Sequence, residues 1–564
     1  MRRQRLVLAS ASISFALVFS GCGATKDVGG EPDLIGDGGS SFDIGGEGGD
    51  LESGIAFQDI ELTPGNATIY IDTATTPATP ATVSYKALLH NADGTTKDVT
   101  SSVVLQLDDS TLGTFAGAKF TSVSKLPGAT LGVTTVVHGT AEGKTGAANL
   151  TLVQLRKSGD HRDFFFVVPY LGAPSPDRDV LVFGTNIKQV DVAFSVDTTG
   201  SMGSSIDTLK DALSSTLMPA LVKAIPSVGL AVVDHKDSQD GDPWTAKVLQ
   251  TITTDVTLAK AAVSTMTADG GGDEPEAQEQ SMLHILTGEE IPSSPVISRH
   301  VPAPGTFGGV DFRPGSLPVV VEITDAHWHD ATTLPPAETT MVALEAAFKR
   351  QNARFVGVTD MHYASSEIDP FPLLTQPQQL CDATGSQVPV AAFSGACGAG
   401  QCCTGLSGAG QAPDGPGGTC RLSFQIQDGA GLGDSVVKAI QAISVGSQFD
   451  VTAQPSNDPS NADGVDATKF VKALRAMDEG SGKECPPHAA KDTNGDGIKD
   501  TFIAVVVGTP VCFEVLPQEN TTVHPKPVAQ FFNAFIDVLG MPGAVKLDRR
   551  NVLFLVPPKE IGAK

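Results

Sequence analysis

The stretch VDVAFSVDTTGSMGSS, residues 190–205, runs from an almost unbroken apolar segment straight into Asp, Thr and Ser. An apolar run such as VDVAFSV suits a strand buried on both faces. Asp197, Thr199 and Ser201 then stand at alternate positions, so one tight loop turns three oxygen groups toward one point. Beyond them Ile206, Leu209, Leu213 and Leu217 lay an apolar stripe along one helix face, and Pro219 is expected to bend or end that helix. Hydroxyls and a carboxylate in this place allow a helix cap, a nucleophile or half of a metal site.

The same alternation continues outward. VGLAVVDH (228–235) and AKVLQTITT (246–254) read as strands, and Asp273 with Glu276 makes a capping-box-like start to a helix ending at Gly288. SLPVVVEITD (316–325) is a further buried strand, followed by a helix around MVALEAAFKRQ (341–351) and the strand ARFVGVT (353–359). LGDSVVKAIQAIS (432–444) supplies a last helix with Val436, Ile440 and Ile443 inward. Strands and helices in alternation predict an α/β doubly wound, mostly parallel, Rossmann-like sheet, in which ligands gather at the carboxyl ends of the strands.

Two more acidic loops fall at such ends. Asp273, in TADGGGDEPEAQ, follows three glycines that let the backbone come close, and Asp325 ends the strand in VEITDAHWHD. Oxygen ligands from three loops around one spot suit magnesium or calcium. This pattern resembles the von Willebrand factor A domain and its metal-ion-dependent adhesion site, over residues 188–446. The resemblance implies that Asp197, Thr199, Ser201 and Asp325 match the family's ligand positions and that Mg2+ (or Mn2+ or Ca2+) is bound. The family usually has a threonine in the remaining loop, where GGGD here offers Asp273 as a substitute. That extra carboxylate makes the site more negative, which tightens cation binding and leaves less positive charge for an acidic partner. The function implied is non-enzymatic binding of a protein or matrix ligand that offers an acidic side chain, coupled to movement of the last helix; the alternative is a structural envelope component stabilised by calcium and disulfides, with no ligand-binding role.

The same residues allow other chemistries. Capping by Ser201 explains neither Asp197 nor Asp325. A nucleophilic Ser201 needs a base, for which His327 and His329 in DAHWHD are the candidates, but TTGSM is no G-x-S-x-G elbow. The H-x-H pair is itself a candidate transition-metal ligand, or simply loop structure.

The C-terminal region, 447–564, returns to strand-like runs: FIAVVVG, VCFEVLP and NVLFLVPP. HRDFFFVVPY, within the flanking segment 156–187, echoes the last of these, so the two flanks are expected to pair into one β-domain around the inserted α/β unit. In KDTNGDGIKDTF, Asp492, Asn494, Asp496, Ile498 and Asp500 are spaced as the early ligands of a Ca2+ loop, with Gly497 at the sharp turn. The twelfth position is Ile503 in place of the EF-hand glutamate, so the loop looks like the shorter calcium loops of extracellular repeat modules, unless it is only a solvated Asx-rich turn.

Residues 54–155 look all-β. Val83, Tyr85, Ala87 and Leu89 alternate with polar neighbours, a turn follows at Asp93-Gly94, and LGVTTVVHG and AANLTLVQL are rich in β-branched residues. The order of these segments resembles bacterial immunoglobulin-like β-sandwich domains, which usually serve as spacers.

Cysteines and charge bear on location. Cys381, Cys397, Cys402, Cys403 and Cys420 crowd in or beside a Gly-rich insertion, 376–425, where disulfides are the natural staple, with a zinc site the alternative. Cys485 and Cys512 form a second candidate clip, and an odd cysteine is left over. MRRQRLVLASASISFALVFSGC reads as an export signal over 1–21, with an apolar run shorter than the roughly 20 residues that span a bilayer. Its ending resembles a lipobox, which implies lipidation of Cys22. Residues 22–53, acidic and Gly-rich, are too poor in apolar groups to fold and make a flexible tether. A lipid-anchored protein of the bacterial envelope is expected, in the outer membrane since Gly23 and Ala24 follow the cysteine in place of aspartate. With 38 basic against 64 acidic residues and a net charge of −26, the chain repels nucleic acid and suits cations or basic partners.

Overall fold

The computed structural model describes residues 59–73, 78–127, 131–155, 157–158, 161–238, 241–272, 274–335, 339–362, 372–393, 396–480, 484–559 and 561. The export signal, Cys22, the tether and Asp273 lie outside the described residues.

At the centre is a six-stranded sheet. Its strands are β1 (Gln189–Asp197), β2 (Ser227–His235), β3 (Ala246–Thr253), β4 (Leu317–Thr324), β5 (Arg354–Asp360) and β6 (Ser423–Ile426), in the order β3-β2-β1-β4-β5-β6. Every pairing is parallel except β2 with β3. β4 is buried at each position and β1 at all but its first, which is why both read as continuous apolar runs. The connecting helices are α1 (Ile206–Asp211), α2 (Met218–Ala224), α3 (Val256–Ser264), α4 (Gln278–Thr287), α5 (Met341–Gln351), α6 (Thr375–Thr384) and α7 (Leu432–Gly446).

Three local differences from the sequence reading have physical causes. Pro219 does not end its helix. A π-helical turn at Ala212–Leu217 precedes it, and Pro219 sits in the first turn of α2, where its missing N–H is no loss. Ile206, Leu209, Leu213 and Leu217 are buried throughout this run, as the stripe requires. Glu276 caps nothing: α4 starts at Gln278 without a side-chain cap. The Gly-rich insertion is more than an excursion, since its start forms α6 and Ser423–Ile426 becomes the edge strand β6. That strand is only four residues long, too short for its pattern to stand out.

The insertion is stapled by Cys397–Cys403 and Cys402–Cys420, and Cys485 joins Cys512. Cys381 keeps a free thiol, buried in α6 and pushed up by that burial.

The flanks of the central unit pair with each other. Phe164–Val167 runs parallel to Val545–Val556 at one edge of a second six-stranded sheet, which also holds Gln448–Asn457, the strand that follows α7. Asp179–Phe183 pairs with Val511–Pro517 in a three-stranded sheet. One continuous core joins these sheets to the central one, whereas Ile60 to Leu152 of the N-terminal β region enclose a separate core. That region is nonetheless bonded to the C-terminal strands: Asn66 Nδ2 and Asn149 Nδ2 donate to the carbonyls of Pro558 and Lys559. Among the described residues no helix is long and apolar enough to cross a membrane.

Candidate functional site

Asp197 is the last residue of β1 and is fully buried. Its Oδ1 accepts from the Thr199 N–H at 2.9 Å and the Thr199 hydroxyl at 2.7 Å, and its Oδ2 accepts from the Thr324 hydroxyl at 2.7 Å. The Thr199 and Ser201 hydroxyls are 3.1 Å apart, and Ser201 Oγ donates to Asp325 Oδ1 at 2.9 Å. The loops after β1 and β4 therefore bring together Asp197, Thr199, Ser201 and Asp325. Neither Thr199 nor Ser205 caps the turn or helix that follows it, and Ser201 is committed to Asp325.

A fifth group belongs here, at a position whose sequence pattern suggests a helix cap. Glu276, only 3% exposed, lies against Thr199 and within electrostatic reach of Asp197, Asp237 and Asp325. Two backbone hydrogen bonds of 2.8 Å clamp its segment to the Asp325 loop, Glu276 N–H to His327 O and His329 N–H to Glu276 O. The glycines make the approach possible. A Cβ on Gly271 (φ +66°) would stand 2.8 Å from Thr199 Cβ and 2.9 Å from Glu276 Oε1. The signal was present in the sequence: Asp273, Glu274 and Glu276 crowd three acids onto one Gly-rich turn.

The electrostatics follow from burial and crowding. Burial, with Asp197 and Asp237 as like charges, pushes Glu276 up to about 11. Asp325 is pushed up to about 7 by burial and by Asp197. Glu276 Oε2 and Asp325 Oδ2 are buried and accept no hydrogen bond. The ring facing Asp325 is that of His362, whose Nε2 is 3.3 Å from Asp325 Oδ2 and 3.2 Å from the Ser201 carbonyl oxygen. Lys236, also fully buried, is spent behind the loop on the Thr198 carbonyl and on Asp269.

Crowded carboxylates, hydroxyls and buried acceptor oxygens without donors are the chemistry of a hard divalent cation, so these residues fit one. Among the described residues no group of three or more His, Cys, Asp or Glu side chains is drawn up as a metal cage, and two of this set of five are hydroxyls. The H-x-H residues serve the loops: His327 Nδ1 meets Glu274 at 2.5 Å and His329 Nε2 meets Asp237 at 2.9 Å. Neither is bonded to Ser201.

A second linkage leaves the site on the far side. His362 Nδ1 is 3.2 Å from Asp360 Oδ1 at the end of β5. Fully buried Asp360 accepts from Ser205 Oγ at 2.7 Å and from the N–H groups of Asp428 and Gly429 at 2.9 and 2.8 Å, just ahead of α7.

The 492–500 loop is remote and exposed. Asp492 takes the N–H groups of Asn494, Gly495 and Gly497, which hold its carboxyl below the usual range. Asp496 accepts from the Ile498 N–H, and Asp500 from Thr493. The loop is closed by its own side chains, with Gly497 at φ +86°.

No family model and no curated protein matches the chain. Solved structures similar to it include a von Willebrand factor type A protein from Catenulispora acidiphila, 11% identical over 81% of this chain and 74% of that one, with a TM-score of 0.27. The pilus adhesin SpaC from Lactobacillus rhamnosus GG, in an open conformation, is 10% identical over 75% and 52%, with a TM-score of 0.27. Manganese-loaded TRAP protein of Plasmodium vivax is 13% identical over 36% and 67%, with a TM-score of 0.21.

Proposed function

We propose that the chain is an exported, lipid-anchored envelope protein that binds a protein or matrix ligand through a metal-ion-dependent adhesion site. In this reading the central sheet is a doubly wound domain of the von Willebrand factor A type, displayed with an immunoglobulin-like sandwich. The observation that carries it is the meeting of Asp197, Thr199 and Ser201 with Asp325, under a Glu276 carboxylate that accepts no hydrogen bond at Oε2. Thr199, Ser201, Asp325 and Glu276 would hold magnesium, manganese or calcium, with Asp197 orienting Thr199. Glu276 takes the part first expected of Asp273. The bound cation would offer a coordination position to an acidic side chain of the partner. Asp325, His362 and Asp360 then link the site to the loop before α7, a route by which ligand binding can move that helix. The proposal assigns binding rather than catalysis, since the two histidines considered as bases for Ser201, His327 and His329, are engaged by Glu274 and Asp237. It also assigns calcium to the 492–500 loop, as a tie within the segment closed by Cys485–Cys512.

Calorimetric titration with Mg2+ and Mn2+ tests the site: saturable binding is expected, and its loss in Asp197→Ala/Asp325→Ala. Unchanged affinity in that variant sinks the reading. A pull-down from envelope extracts, with and without chelator, asks whether any captured partner depends on the cation.

A further inference from the structure

Lys236 follows the last residue of β2 and is fully buried. An ammonium taken out of water is costly unless its protons find acceptors. Here all three do. Nζ donates to the Thr198 carbonyl at 2.7 Å, to the Asp269 carbonyl at 2.6 Å and to Asp269 Oδ1 at 2.6 Å. None of these acceptors belongs to Asp197, Glu276 or Asp325, so the hydrogen bonds of this buried cation do not go to the acids of the site. They join two loops instead. Thr198 lies between Asp197 and Thr199, and Asp269 opens the glycine turn that leads to Glu276.

The junction is closed from several directions. The Thr198 carbonyl also accepts from the Asp269 N–H at 3.0 Å, and the Gly200 N–H donates to the Gly270 carbonyl at 2.9 Å. Thr198 Oγ1 donates to Asp234 Oδ1 at 2.6 Å, an oxygen that Trp244 Nε1 reaches at 3.1 Å. Past the turn, Ala277, the neighbour of Glu276, donates its N–H to the Lys236 carbonyl at 3.1 Å. Lys236 therefore holds the chain next to Thr199 with its side chain and the chain next to Glu276 with its backbone. Thr199 and Glu276, which meet over Gly271, are fixed by one residue that is itself no ligand.

What such fixing does depends on the ion. Mg2+ demands near-octahedral geometry at about 2.0–2.1 Å, whereas Ca2+ accepts looser shells at about 2.3–2.6 Å. Loops free to part would serve calcium nearly as well and magnesium much worse.

We propose that Lys236 is a positioning residue of the cation site and biases it toward magnesium over calcium, by fixing the Thr199 loop against the glycine turn. The inference rests on the reading of this cluster as a cation site, and its test separates the two.

Mg2+ and Ca2+ are titrated calorimetrically into the full chain. Binding that persists in Asp197→Ala/Asp325→Ala, that of the 492–500 loop included, is subtracted. Lys236→Met keeps the length of the side chain and removes its charge and donors. Its magnesium affinity is expected to fall about tenfold or more and its calcium affinity about threefold or less, so the ratio of the two shifts. Asp269→Ala truncates a side chain that is 69% exposed, and a smaller shift in the same direction is expected. That variant carries the test if Lys236→Met does not fold. An unchanged ratio in either folded variant, whether the two affinities hold or fall together, overturns the proposal while leaving the cation site intact. No magnesium binding by the wild-type chain sinks the reading of the site, and this inference with it.

Discussion

Strand β1 carries two fully buried aspartates six positions apart, Asp191 and Asp197, and their surroundings are opposite in charge. Asp191 faces Arg313, whose Nε donates to Oδ1 at 2.7 Å, while the Arg313 N–H and the Ser316 hydroxyl fill Oδ2 at 2.6 and 2.9 Å. Its charge is cancelled where it stands. Asp197 has only hydroxyls and one N–H as donors, and the acids nearest it add to its charge. Equal burial thus serves two ends. The amino end of the strand is an internal ion pair that closes the fold, and the carboxyl end gathers acids and hydroxyls in the way a cation site does.

Replacing each aspartate by alanine separates the two most widely. Asp191→Ala leaves a largely buried guanidinium without its carboxylate, and breaking such a pair costs about 3–5 kcal/mol. Urea unfolding should show that loss equally in chelator and in magnesium. Asp197→Ala gives up hydrogen bonds but also relieves repulsion, so its loss in chelator should be clearly smaller, and the extra stability gained in magnesium should vanish. Equal losses at the two ends, both indifferent to magnesium, would erase the distinction.

Glu276→Gln gives a smaller effect that bears on the carboxyl end alone. With its carboxyl held protonated by burial and like charges, the amide is nearly isosteric with the acid, and stability in chelator should change little. Magnesium affinity should fall about tenfold or more, because a charged oxygen ligand is lost. If the variant instead loses stability and keeps its affinity, Glu276 is a structural residue after all.

How far the sequence shows this contrast depends on the kind of information each part needs. The apolar runs of β1 and β4 announce strands, and the D-x-T-x-S series announces a loop of oxygens, because both are local patterns. Asp325 is legible too, since it ends a buried strand. Glu276 is only hinted at by the three acids of its turn, because its place depends on the backbone clamp to His327 and His329, from a loop some fifty residues away. The Asp191–Arg313 pair is hidden for the same reason, as is β6, a short edge strand that pairs only with β5. The disulfide partners could not be read from spacing, and Cys402 and Cys403, adjacent in the chain, go to different partners.

The pH dependence of the carboxyl end is the mildest probe. In the metal-free fold Asp325 titrates near 7 and Glu276 near 11, against ordinary values of 3.8 and 4.5. The folded protein therefore holds protons that the unfolded chain releases once the pH passes about 4 to 5. Stability from this source is complete below the ordinary values and falls as the pH rises through 7. In chelator the melting temperature should drop by a few degrees between pH 5 and pH 8. Cation binding needs the ionised carboxylates and releases those protons, so the increment from magnesium should grow over the same interval. A magnesium increment that is flat from pH 5 to 8, measured by calorimetry, would mean that Asp325 and Glu276 do not face the cation.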